Sequence, residues 1–365
     1  MDLCLKLLLS EPAKNLVLSP VNVEHAFAIL ARAADGQTRE EILKMVSQEE
    51  PGKTEARVRA LESLPVVQIG AKLFSCFKTD FSASHEYVDF TESQDAADKI
   101  NSWVSKSTND VINEKGKLRV KDSWKKKFSV FRTNYGLFGE GKHGVRYMEE
   151  TFEEIMYTRT SEFQAISLPY LTEGLEMTVV MPKPQNLKGI SSKSPLFVFE
   201  TVSLTASKLK DIFGGLRKAK VNFRMPKFEI DTNLDLKEIF EKLGFGHVFS
   251  EALDNYSCGH LTKKSVYLSK AKHRAKIVVN EKGTVAAAVS FGGCEGCGRY
   301  ELPPEEFICD RPFLYFIRKE DEIIFAGRVV KPETQAVECD FEASLEDELK
   351  ELLELQKNGR LYLED

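Results

Sequence analysis

Apolar positions along this chain change period. Near the N-terminus they recur at helical spacing, and beyond Glu162 they come in strand-like runs. Residues 1–12, MDLCLKLLLSEP, are leucine-rich but broken by Lys6, and read as a helix within the fold. Leu16 to Leu30, LVLSPVNVEHAFAIL, starts as a short apolar strand, turns at Ser19-Pro20 and continues as an amphipathic helix. Gly36-Gln37-Thr38 opens a second helix, with Thr38 as N-cap and Glu41 as its capping-box partner. Residues 95–112 repeat the helical period, with Ile100, Trp103 and Val104 on one face. The runs FQAISLPYL, LEMTVVMPK and VNFRMPKFEI then read as strands, and DLKEIFEKLGF as a helix with a glycine stop.

A change of character follows near residue 283. From Ser265 to Glu281 the chain alternates Val and Ile with Lys and Arg, as a half-buried strand does. After Gly283 come Thr284, Val285, Ala286, Ala287, Ala288, Val289 and Ser290, nearly all small. Such residues neither fill a core nor cap a helix. Beyond CEGCGRYELPPEEF, two more apolar strands follow, Arg311 to Ile317 and Glu322 to Val330. The tail carries Leu345, Leu349, Leu352, Leu353 and Leu355 at helical spacing, in an acidic setting.

Charge separates that tail from the rest. Residues 336–365 hold ten acidic and three basic side chains, a net of −7, within a chain total of −5. The remaining residues are therefore nearly neutral, which gives no argument for a nucleic-acid partner. No apolar run has the length of a membrane-spanning helix, so no membrane partner is expected. Seven cysteines, odd in number and mostly scattered, suit a reducing compartment. Together with the absence of a signal-peptide pattern, they favour a cytoplasmic location; an extracellular one follows if the N-terminus is incomplete.

Several segments together resemble the serpin family. Leu18-Ser19-Pro20, a helix and then Gly36-x-Thr38 are similar to its opening signature. Met225 to Phe245 (MPKFEIDTNLDLKEIFEKLGF) is similar to its central one, and Ser269 to Thr284 (SKAKHRAKIVVNEKGT) to the strand that feeds its reactive loop. Asp310 to Ile317 and Ile323 to Pro332 are similar to its closing signatures. The resemblance implies one α+β domain over 1–335, with three β-sheets surrounded by helices and an exposed reactive loop at about 283–304, followed by an acidic helical extension over 336–365.

It also implies a mechanism. A serine endopeptidase of trypsin-like or chymotrypsin-like type attacks the loop as a substrate, and the cut loop slides into the main sheet and traps the protease as an acyl-enzyme. Cysteine proteases form a further target class. The chain would supply no catalytic group, need no cofactor and act as a monomer. Glu281, Gly283, Thr284, Ala286, Ala287 and Ala288 match the hinge, and Ser19, Pro20 and His273 a polar region beneath the sheet. Fourteen positions beyond the hinge glycine stands Cys297, followed by Gly298; because this loop is longer than usual, Arg299 and Tyr300 remain alternative points of attack. Cys294 and Cys297 form a CxxC, but with no second CxxC or HxxxH a metal site is not expected.

The chain departs from the family in one place that bears on the mechanism. Ahead of Trp124-x-x-x-Phe128 the family carries a long apolar strand in the main sheet, whereas Ile112 to Phe128 reads INEKGKLRVKDSWKKKF. That loss is expected to leave a buried His273 without its usual polar partner. It leaves open a non-inhibitory binding or carrier protein, or an incomplete gene product. There is no Gly-x-Ser-x-Gly, P-loop or HExxH to support an enzyme.

Overall fold

The computed structural model describes residues 2–10, 14–46, 51–68, 71–79, 84–107, 119–120, 122–139, 143–183, 204–249, 262, 267–284 and 303–332. The hinge residues Ala286, Ala287 and Ala288, the reactive-bond candidates Cys297, Gly298, Arg299 and Tyr300, the CxxC and the acidic extension lie outside them.

In chain order the strands begin with β1 (Leu16–Leu18), β2 (Val67–Gln68), β3 (Leu73–Ser75), β4 (His85–Tyr87), β5 (Arg119–Val120) and β6 (Asp122–Ser123). There follow β7 (Thr133–Phe138), β8 (His143–Arg159), β9 (Phe163–Pro169), β10 (Leu175–Pro182), β11 (Arg217–Pro226) and β12 (Phe228–Asp235). The last are β13 (Lys272–Val279), β14 (Gly283–Thr284), β15 (Glu305–Ile308), β16 (Phe313–Lys319) and β17 (Glu322–Val329). Helices Asp2–Leu9, Pro20–Ala33, Gly36–Met45, Pro51–Glu62, Ser93–Ser107, Ala206–Gly214 and Leu236–Lys242 complete an α+β architecture.

Where the resemblance implies three sheets, hydrogen bonding among the described residues gives one sheet of nine strands and four pairs. The large sheet runs β1-β17-β16-β10-β9-β8-β11-β15, with β7 beside β8. Its continuity comes from β8, whose early residues pair with β7, whose middle pairs with β11 and whose end pairs with β9. The pairs are β12-β13, β14-β6, β2-β5 and β3-β4.

Period-two alternation assigns the two faces of the large sheet. Along β16, Phe313, Tyr315 and Ile317 join the core that holds Trp124, Phe128 and Phe228. Leu314 and Phe316 point the other way, into a second core with Phe27, Ile239 and Phe240 from the helices. Strands buried on both faces read as unbroken apolar runs, which is why β9, β10, β16 and β17 are legible in the sequence. Close packing is severe at Gly327 of β17. A Cβ there would stand 2.2 Å from the Tyr315 hydroxyl and 2.3 Å from the Leu16 carbonyl oxygen. Gly327→Ala is therefore expected to destabilise the fold by ~1–3 kcal/mol, read from a denaturation midpoint.

Two sequence expectations need correction. The second helix begins at Gly36, which takes φ +48, with Asp35 at the N-cap; Thr38 is buried within the first turn instead of capping it. Strands also dominate before Glu162, because β7 and the 17-residue β8 precede it. β8 carries Glu149, Glu150, Glu153 and Glu154, and so does not read as a strand. Those carboxylates are held by cations on neighbouring segments: Glu149 by Arg224 (2.8 Å), Glu153 by Lys220 (2.9 Å) and Glu154 by Lys218 (2.8 Å). Glu150 takes Lys126 and Arg132.

Candidate functional site: the hinge at residues 280–284

β13 ends in a two-residue reversal. The Asn280 N–H donates to the Gly283 carbonyl and the Gly283 N–H to the Asn280 carbonyl, both at 3.2 Å. The Asn280 side-chain oxygen accepts from the Lys282 N–H at 3.1 Å, a local bond that favours the turn. Gly283 takes φ +134, and a Cβ there would lie 2.4 Å from the Asp122 carbonyl oxygen. The chain then pairs antiparallel with β6, Gly283 opposite Ser123 and Thr284 opposite Asp122. Gly283 thus meets two demands at once, an unusual φ and a close backbone approach.

The segment after β6 encloses the turn. The Trp124 N–H donates to the Lys282 carbonyl (3.2 Å), the Trp124 indole N–H to the Asn280 carbonyl (2.9 Å), and the Phe128 N–H to the Glu281 carbonyl (3.1 Å). The Trp124 ring stacks on Tyr170, with centroids 4.6 Å apart. These bonds satisfy backbone groups of the turn that burial would otherwise leave without partners.

Glu281 is the charged centre. Its carboxylate and the Lys227 ammonium are each 1% exposed and stand 2.9 Å apart. The Thr133 hydroxyl donates to the second carboxylate oxygen at 2.8 Å. Lys227 sits at the junction of β11 and β12, so a single ion pair joins the turn to β11 of the large sheet and to the β12-β13 pair.

A second polar cluster lies at the other end of β13. His273, expected to lack its usual polar partner, has one in Ser19: its Nε2 accepts from the backbone N–H of Ser19 at 3.0 Å. Ser19 also caps the helix that Pro20 begins, its hydroxyl accepting from the Asn22 N–H at 3.4 Å. Complete burial lowers the His273 pKa to about 4. Since the unfolded chain takes up this proton near 6.5 and the folded chain near 4, stability is retained above pH 6.5 and falls as pH drops between the two values. Integrated over that window the loss is on the order of 3 kcal/mol. His273→Gln should flatten this part of the stability profile in urea titrations across pH 4–7.

The structure brings Glu281, Gly283 and the Thr284 backbone together at one reversal, and Ser19, Pro20 and His273 at another point along β13. It adds Lys227, Thr133, Trp124 and Asn280, which sequence reasoning did not select. Only Lys227 carries a signal, as a lone cation between apolar Met225-Pro226 and Phe228. Of the segment before Trp124, where the loss is expected, residues 119–120 and 122–123 form β5 and β6, and 108–118 and 121 lie outside the described residues.

A family model described as Serpin (serine protease inhibitor) matches residues 1–332. Neuroserpin of Mus musculus is 27% identical over 369 residues, covering 88% of this chain and 87% of its own. Iripin-2 of Ixodes ricinus is 28% identical over 375 residues, covering 90% of each. Leukocyte elastase inhibitor of Bos taurus is 26% identical over 378 residues, covering 91% of this chain and 97% of its own. Among solved structures, maspin superposes with a TM-score of 0.74 at 22% identity, over 91% of this chain and 96% of that one. Human thyroxine-binding globulin in complex with its hormone gives 0.73 at 23% identity, over 91% and 95%. At those identities the structures bear on the fold alone.

Proposed function

The chain belongs to the serpin family, and on that premise we propose that it inhibits serine endopeptidases as a suicide substrate, through a reactive loop that begins at the Glu281–Thr284 hinge. One observation carries the reading: after the reversal, Gly283 and Thr284 already run antiparallel to β6 and are bridged through Asn280 to β13. That is the start of a strand laid beside β13, on the edge that β12 leaves free. The segment that would extend it, Val285 to Ser290, is almost entirely small, so it can enter a packed sheet with little steric resistance.

In this mechanism the serine oxygen of the protease attacks the carbonyl carbon of the reactive bond, Cys297–Gly298, with Arg299 and Tyr300 as alternative sites. The C–N bond breaks and the downstream amine leaves with a proton delivered by the protease's own histidine. An ester remains, and insertion of the upstream segment carries it away before water can hydrolyse it. The inhibitor contributes stored conformational free energy and no catalytic group. The partner is a trypsin-like or chymotrypsin-like protease, with cysteine proteases as a further class, met by a monomer of this chain.

A specific observation favours a second reading, a binding or carrier protein that does not trap proteases. Ahead of Trp124 the sequence INEKGKLRVKDSWKKKF holds no long apolar run, so an incoming strand would gain fewer ladder bonds on that side. Incubation with trypsin and chymotrypsin, followed by denaturing gels and mass spectrometry of the cut, separates the two. A complex that survives denaturation, cut between Cys297 and Tyr300, is the expected result. Cleavage with no complex overturns inhibition in favour of the second reading.

A further inference from the structure

β6 is two residues long, and the large sheet fixes its place from one side. The turn between β9 and β10 lies along it. The Lys125 N–H donates to the Pro169 carbonyl at 2.9 Å and the Leu171 N–H to the Ser123 carbonyl at 2.8 Å, the two bonds that flank an antiparallel bridge between Trp124 and Tyr170. A regular ladder would go on with the Ser123 N–H turned to the Leu171 carbonyl. It turns instead to the Asp122 carboxylate, whose Oδ1 accepts it at 2.8 Å, while Oδ2 accepts from the Thr172 N–H at 3.0 Å. One buried side chain, 4% exposed, thus joins β6 to the turn through both its oxygens where backbone pairing stops.

The chemistry of that residue is specific. A carboxylate can accept both bonds, and its charge strengthens them. Asparagine at 122 could keep the Ser123 bond through its single oxygen, but would turn an amino group toward the Thr172 N–H, donor against donor. Alanine keeps neither bond. The hinge lies on the other edge of β6, since successive N–H groups diverge, Trp124 to the Lys282 carbonyl and Lys125 to the Pro169 carbonyl. Gly283 and Thr284 pair there with Ser123 and Asp122, and Gly283 approaches their backbone so closely that no Cβ would fit between. A displaced β6 is therefore felt at the hinge.

We propose that Asp122 is a positioning residue for trapping: its carboxylate fixes β6 against the β9-β10 turn and so holds the strand that pairs with the hinge in register. The role rests on the loop-insertion reading above. Two fates compete for the acyl-enzyme, insertion of the loop and hydrolysis of the ester by water. A shifted β6 slows the first and leaves the second unchanged. Asp122 thereby sets the share of cut molecules that end as covalent complex, while the rate at which the loop is cut does not depend on it.

The test measures that share with trypsin and chymotrypsin, as covalent complex against cleaved inhibitor on denaturing gels, at a temperature where each variant is folded by circular dichroism. Asp122→Ala is expected to shift the ratio toward cleaved inhibitor by about tenfold, with the rate of loop cleavage unchanged. Thr172→Pro removes the partner N–H from the side of the turn and alters neither β6 nor the hinge. It should shift the ratio in the same direction, and the double variant no further than Asp122→Ala, since the two share one bond. If Asp122→Ala does not fold, Asp122→Asn, which keeps the Ser123 bond, carries the same expectation. A role in stability alone would lower the unfolding midpoint and leave the ratio at the wild-type value; that result overturns the positioning role and leaves inhibition standing. Cleavage without complex in the wild-type protein overturns both.

Discussion

Glu281→Gln is expected to lower the stability of the native protein by about 3–5 kcal/mol, and Lys227→Met by a similar amount. The two groups are each 1% exposed and 2.9 Å apart, so neither can turn to water when its partner is removed. The single variants leave an uncompensated charge in a site built for two, and that desolvation cost exceeds the worth of the pair itself. A double variant, Lys227→Met with Glu281→Leu, is therefore expected to recover much of the loss, although the Thr133 hydroxyl then lacks its acceptor. Denaturant unfolding of the singles and the double gives the coupling directly. Simple additivity of the two losses would show that the ion pair does not hold the hinge.

The functional consequence follows from what the pair connects. It ties the turn at 280–283 to the β11-β12 junction and, through Thr133, to the start of β7. Loosening it should admit strand pairing at the hinge before any protease has cut the loop. We expect Glu281→Gln to yield less covalent complex per molecule and more self-associated material, read by denaturing gel and size-exclusion chromatography.

Gly283→Val is the second large effect. Three oppositions combine at that position: φ +134, a Cβ 2.4 Å from the Asp122 carbonyl oxygen, and a further approach of 2.6 Å to the Ser123 Cα. Those atoms are backbone and cannot swing aside. Strain and overlap together amount to about 2–6 kcal/mol, which the chain avoids most cheaply by giving up the β14-β6 pair. The nine-stranded sheet and its helices do not depend on that pair, so the protein should still fold. Proteases should still cut the loop, but covalent complex should fall by at least about tenfold, because the proposed insertion starts from the pairing at β6. Complex formation at the wild-type level would show that insertion does not begin at Gly283.

The amino-acid sequence by itself determined the elements that are buried on both sides or begin with special backbone chemistry. β9, β10, β16 and β17 are continuous apolar runs, and Ser19-Pro20 both ends β1 and starts a helix. It also marked Gly283 as a break, because a strand pattern gives way there to small residues. β7 and β8 escaped it. The exposed face of β8 carries charges that pair with residues on other segments, and β7 exposes Tyr135 and Leu137, so apolar alternation alone does not separate them from a loop.

Tertiary structure alone decided how the hinge is held. Glu281 is bonded to Thr133 from 148 residues away, and His273 to the backbone of Ser19 from 254 residues away. No local period encodes such a meeting, since it depends on which strands stand side by side. Burial then alters the chemistry of residues that look ordinary in sequence. A lysine and a glutamate become an obligatory pair and a histidine is kept neutral, because water that would satisfy each of them in an unfolded chain has been excluded.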